Sequence, residues 1–243
     1  EKDQLIQINI KKVINLKTKI KAILFDIGGP IDSEILNDKL LKLHFIEEFS
    51  KYNITINDHE IENCLERLIT NFDKNIYSSL CENFSNNNEH IQKSVYNNIL
   101  LRSKERDLIR KAPEISDEVI GVLKQLSKDY KLGVVANQTL DALKLLKNTG
   151  INKYFDNFEV SDSIGLEKPD KRIFLYVMDI LKGSAEECIM IGDRIDNDII
   201  PANQLNIFSV RIKTGRFSYQ NPRNVSEKPK YEINNLLELK NIL

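Results

Sequence analysis

The chain has 243 residues, with 41% apolar and 29% charged side chains, enough to bury a full core and too apolar for composition-driven disorder. Thirty-five Lys and Arg stand against 36 Asp and Glu, so no net field draws the chain to nucleic acid or to an anionic membrane. The three cysteines, Cys64, Cys81 and Cys188, lack the spacing of a disulfide framework or of a structural zinc site. No apolar run is long enough to span a bilayer, and the residues from Glu1 onward carry no signal-peptide pattern. A reducing cytoplasm is the expected compartment, and a monomer or homodimer the expected state.

In chain order, Leu5–Leu16 is an apolar stretch interrupted by Lys11 and Lys12, expected to pack on the domain. Lys21–Asp26 (KAILFD) is a short apolar run ending in an acid and predicts a buried strand. Residues 33–110 keep helical periodicity, as in Leu40, Leu41, Phe45 and Phe49, with an Asn-rich break at 86–88 and no convincing strand. They read as an inserted all-helical subdomain, hinged near Asp32 and Pro113, leaving 1–32 and 111–243 as the main domain. Tyr77, Phe84 and Tyr96 within it are aromatics at helical spacing, which belong more often to a core than to a pocket.

From Ser116 onward helix and strand alternate: helices at Ser116–Lys128, Leu140–Asn148, Lys171–Leu181 and Asn197–Gln204, and strands at Lys131–Asn137, Cys188–Asp193 and Ile207–Ile212. Weaker strand signals lie at Phe158–Ser161 and Tyr231–Ile233. This alternation is the pattern of an α/β fold with a doubly wound parallel sheet.

In such a sheet ligands sit beyond the carboxyl ends of the strands. Asp26 ends the first strand and is followed by Gly28 and Gly29, which allow a tight turn and close backbone approach to a ligand. Asp193, Asp196, Asn197 and Asp198 crowd into six residues after another strand. Like charges so close are costly unless a cation sits among them, and Mg²⁺ suits a few carboxylates with waters and phosphate oxygens. An acidic helix start accounts for Asp196 and Asp198, but poorly for Asp193. Lys168 precedes Pro169, which fits the first position of a helix and places the lysine at a loop-to-helix junction. The histidines, His44, His59 and His90, all fall in the helical block, so a Ser-His-Asp arrangement has no base at the sheet edge. Cys188 reads as inert strand packing.

In this order the segments resemble the haloacid dehalogenase-like (HAD) hydrolase superfamily, in members with a helical cap inserted after the first strand. Asp26 matches the nucleophile motif, Lys168 the lysine before proline, and Gly192, Asp193 and Asp198 the acidic motif. The resemblance implies a HAD-like Rossmannoid core, a phosphatase acting on a small phosphorylated metabolite through an aspartyl-phosphate at Asp26, and Mg²⁺ held by Asp26, the Gly28 carbonyl and Asp193. Asp198 would orient the metal or bind it through water, and Lys168 would neutralise charge beside Asp26. Two positions depart from the family pattern. Gly28 stands where a second aspartate usually serves as general acid, with Asp32 as a substitute or as a cap for the first helix of the block. Ala136 stands where a hydroxyl usually binds phosphate, leaving Asn137, Gln138 or Thr139 as donors, beside Gly28 and Gly29 at the phosphate. These departures keep two other readings open: a weakened domain that binds a phosphorylated ligand or a protein partner, and a dehalogenase-like enzyme, which would leave Asp193 and Asp198 without employment.

Overall fold

The computed structural model describes residues 19–243; the apolar stretch Leu5–Leu16 lies outside them. The described residues form two units, one made of 19–33, 115–214 and 222–243, the other of 34–114 with 215–221.

The first unit is built on a five-stranded parallel sheet, β1 (Ala22–Phe25), β2 (Lys131–Val134), β3 (Cys188–Gly192), β4 (Phe208–Ile212) and β5 (Tyr231–Ile233), in the order β2-β1-β3-β4-β5. β1 and β3 are buried along their whole length, as central parallel strands covered on both faces must be. Their side chains alternate between two apolar layers. Ile23, Phe25, Ile189 and Ile191 pack with Leu123 and Leu126 of the helix Asp117–Leu126. Ala22, Leu24, Cys188 and Met190 pack with Ile173, Phe174, Val177 and Leu181 of the helix Lys171–Leu181. Cys188 is free and buried, and burial pushes its thiol up to about 11, so it is packing and not a nucleophile.

Register decides where the strand-end acids fall. Phe25 pairs with Ile191, and the Asp26 N–H donates to the Ile191 carbonyl at 2.9 Å. The turns carrying Asp26 and Asp193 therefore leave the sheet side by side.

The helical unit comprises Ile35–Ser50, Asp58–Thr70, Ile76–Phe84, Glu89–Leu101 and Ser103–Arg110 around Leu41, Phe45, Phe49, Ile61, Ile69, Leu80 and Ile99. Asn57 and Glu60 form a reciprocal capping box at one helix start. The Asn-rich break has a local cause: Asn86 and Asn87 adopt positive φ, which asparagine tolerates, and Asn88 caps the next helix. Tyr77, Phe84 and Tyr96 pack against this unit's core, as does Phe217 of the returning segment 215–221. Nothing in the local sequence announced that segment, or residues 111–114, as part of the helical unit.

Several expected elements differ. Phe158–Ser161 is not a strand; the chain there makes a single bridge between Asn157 and Gly133, and Ser161 opens the short helix Ser161–Ile164. The helix expected from Asn197 begins instead as a π-turn over Ile195–Ile199 and continues as Ile200–Gln204. Pro169 lies ahead of Asp170, which caps the helix from Lys171 through its bond to the Arg172 N–H, so the proline is not in the first helical position. Asp32 does not cap the helix at Ile35, which is preceded by Glu34 at φ 54° with no side-chain cap. No helix among the described residues is long and apolar enough to cross a membrane.

The contact between β2 and the helix Lys171–Leu181 is close enough to test. A Cβ on Gly133 would lie 2.6 Å from Val177 Cγ1 and 2.9 Å from Leu181 Cδ1. Gly133→Val is expected to destabilise by about 1–3 kcal/mol, read as a melting temperature lower by roughly 2–4 °C per kcal/mol. Unchanged melting would show that the helix can move away.

Candidate active site

The site is assembled from four turns at the carboxyl edge of the sheet. Asp26, 8% exposed, presents Oδ1 to its neighbouring Ile27 N–H at 2.7 Å and Oδ2 to Lys168 Nζ at 2.8 Å. The same ammonium lies 2.7 Å from Asp198 Oδ1. Asp198 is fully buried, and its other oxygen accepts the Arg194 N–H at 3.0 Å, which closes the turn after β3.

Lys168 is held as firmly at its backbone as at its tip. Asn137 Nδ2 donates to the Lys168 carbonyl at 2.9 Å, and the Lys168 N–H donates to Asn137 Oδ1 at 2.7 Å. The peptide bond from Lys168 to Pro169 is cis. Asn137, expected as a phosphate donor, thus places its amide oxygen and one amide hydrogen on the Lys168 backbone. The Gln138 backbone N–H donates to Ser161 Oγ at 3.0 Å, and Thr139 caps the helix Leu140–Asn148. Ala136 is wholly buried and its carbonyl accepts the Ser161 N–H.

The electrostatics follow from crowding. Carboxylate oxygens of Asp26, Asp193 and Asp198 all lie within 4.8 Å of one another, with one ammonium among them. Burial disfavours the charge on Lys168, but Asp198 and Asp26 outweigh it and hold the lysine above its ordinary pKa. Burial pushes the Asp198 carboxyl up to about 6 against the pull of Lys168. The three carboxylates crowd around a single ammonium, and an oxygen set of this kind fits Mg²⁺. Asp196 does not join them: it pairs with Arg194 at 2.6 Å.

Two glycines create the space. Gly29, at φ 88°, lies so close to Asp193 that a Cβ would sit 2.7 Å from Oδ2. Gly192 is covered by Asp198, and a Cβ there would overlap the Asp198 carboxylate. Asp32 is buried at 5% exposure, its carbonyl accepting the Gly29 N–H at 2.8 Å, so it braces the turn after Asp26.

Arg211 and Thr214 adjoin this site and were not expected there. Arg211 Nε donates to the Asp193 carbonyl at 3.2 Å, and Thr214 Oγ1 to the Gly29 carbonyl at 3.4 Å. The available signal was an arginine in the otherwise buried strand FSVRI, since arginine is almost never fully buried unless paired.

The model of the haloacid dehalogenase-like hydrolase family matches residues 20–206, and the chain belongs to that family. It is 34% identical over 128 residues to a glyceraldehyde 3-phosphate phosphatase of Methanopyrus kandleri, covering 52% of this chain and 55% of that protein. The chain thus spans about half the length of the curated relatives it matches first. A HAD phosphatase from Thermococcus onnurineus is similar in structure at TM-score 0.59 and 27% identity, over 92% of this chain and 97% of its own. The HAD-hydrolase-like YfnB of Bacillus subtilis, in a magnesium-bound crystal form, superposes at TM-score 0.62 and 22% identity over 93% and 99%.

Because Asp198 fills the space over Gly192, Gly192→Ala is expected to push the carboxylate off Lys168. The cost should be at least about 2 kcal/mol in urea unfolding, since a buried ion pair is broken and the turn overpacked. Wild-type stability would show the turn after β3 to be adaptable.

Proposed function

We propose that this chain is a Mg²⁺-dependent phosphatase that acts on a small phosphorylated metabolite through an aspartyl-phosphate at Asp26. The observation that carries the reading is the placement of a strand-end carboxylate, Asp26, against the buried ammonium of Lys168 and within 4.8 Å of two further acids. The phosphatase names of the relatives support the reaction class.

Asp26 and Asp193, with the Gly28 carbonyl, would hold Mg²⁺, which when bound supplies positive charge opposite the phosphate oxygens. Asp198, with both oxygens already bonded, acts from behind by fixing Lys168. One carboxylate oxygen of Asp26 attacks phosphorus, and the bond from phosphorus to the leaving oxygen breaks as the new one forms. Lys168 balances the charge that spreads over the reacting oxygens, and Gly28 and Gly29 keep the turn bare enough for the phosphoryl group to approach. Water then attacks the acyl phosphate and releases inorganic phosphate, restoring the Asp26 carboxylate. Gly28 brings no acid to the leaving group, so departure depends on that group's own basicity. Positioned proton donation is ordinarily worth about 10²–10⁴-fold, and the chain is expected to hydrolyse p-nitrophenyl phosphate far faster than simple alkyl phosphates.

Asp26→Asn should lower kcat on p-nitrophenyl phosphate by at least about 10³-fold, as removal of a nucleophile does, and Lys168→Ala should be nearly as damaging. EDTA should abolish turnover and added Mg²⁺ restore it. Activity within tenfold of wild type in Asp26→Asn would refute the nucleophile. Binding of a phosphate mimic with Mg²⁺ but no turnover of any ester would instead support the ligand-binding reading that Gly28 and Ala136 favour.

A further inference from the structure

β4 carries the chain's least expected buried charge. Val210 and Ile212 enter one apolar layer of the sheet, while Arg211 points to the other face with its side chain only 1% exposed. In the sheet register Arg211 stands between Gly192 of β3 and Glu232 of β5. Its Nη1 meets Glu232 Oε1 at 3.3 Å, and its Nε–H reaches the Asp193 carbonyl at 3.2 Å.

Packing alone does not call for an arginine here. Burial works against its charge and lowers its pKa, and an apolar residue of similar volume commonly serves a sheet interior as well or better than a buried ion pair. Glu232 is 45% exposed and would be solvated without its partner. Its Nε–H reaches the acidic turn after β3, where it holds the Asp193 main chain from beneath. Three residues later Thr214 holds the Gly29 carbonyl, and Gly29 in turn abuts the Asp193 carboxylate. The exit of β4 thus ties together the two turns that carry Asp26 and Asp193.

We infer that Arg211 is a positioning residue: through the Asp193 carbonyl it fixes the distance between the Asp193 and Asp26 carboxylates and so sets the affinity of the site for a divalent cation. The inference rests on the reading of that pair as the Mg²⁺ site. The guanidinium also acts on Asp193 through its charge, and losing a nearby positive charge would by itself favour a cation, so the weakened binding expected on losing Arg211 is an effect of geometry. Outer partners that orient metal ligands typically change affinity about 10- to 100-fold.

The test is Mg²⁺ alone, titrated calorimetrically into the full chain. Arg211→Met should weaken Mg²⁺ binding about 10- to 100-fold, while Glu232→Gln, which removes the pair but not the Asp193 contact, should stay within about twofold of wild type. In turnover assays the Arg211→Met defect should appear as a raised Mg²⁺ requirement, with kcat recovering at saturating Mg²⁺, an outcome that general structural damage does not give. If Arg211→Met does not fold, Arg211→Lys keeps a buried donor and charge without the Nε–H aimed at Asp193, and should lose about tenfold. Wild-type Mg²⁺ affinity in the folded arginine variant, or an equal loss in Glu232→Gln, overturns the inference and leaves the proposed function standing. Failure of the wild-type chain to bind Mg²⁺ at all overturns both.

Discussion

The site depends on one buried ammonium. Lys168 lies within 2.8 Å of Asp26 and 2.7 Å of Asp198, and without it two desolvated carboxylates would face each other and a third, Asp193, close by. A buried charge that loses its partner typically costs about 3–5 kcal/mol, so the four turns at the sheet edge are mutually conditional. The fixing of the lysine by the Asn137 amide extends that dependence to the turn after β2.

The parallel sheet sets the frame for this chemistry. Strands that run in one direction deliver their carboxyl ends to one edge, and the β1 and β3 register brings the ends bearing Asp26 and Asp193 together. Side-chain volume does the rest. Asp198 is fully buried because Gly192 offers no Cβ to exclude it, and Asp193 lies against Gly29 for the same reason. The turn between β3 and the helix Ile200–Gln204 takes the form of a π-turn, a wider winding often found at functional sites, and it carries Asp198 inward to the lysine.

Much of this was readable from the sequence because the signals were local. An apolar run ending in Asp26, a crowd of acids after a second run, and Lys168 before a proline each declare a strand or helix boundary within a few residues. What escaped depends on contacts distant in sequence. Asn137 reads locally as a donor for a ligand, and its contact with the backbone of Lys168, 31 residues on, is invisible to any local pattern. Asp32 has the chemistry of a helix cap, yet it is buried in the turn after β1. Phe158–Ser161 carries a strand signal, but the one bridge beside β2 is made by the preceding Asn157. The membership of 215–221 in the helical unit rests on contacts such as that of Tyr219 with Glu62, which no local pattern encodes.

The most direct measurement of the central claim is a double-mutant cycle on stability, with Lys168→Met, Asp198→Asn and the pair, followed by urea unfolding without metal. Lys168→Met should be strongly destabilising alone, because it strands Asp198, and much less so once Asp198 is already neutral. The coupling should be at least about 1 kcal/mol. Strict additivity, with the two losses simply summing in the double variant, would mean that the buried lysine does not hold these acids together.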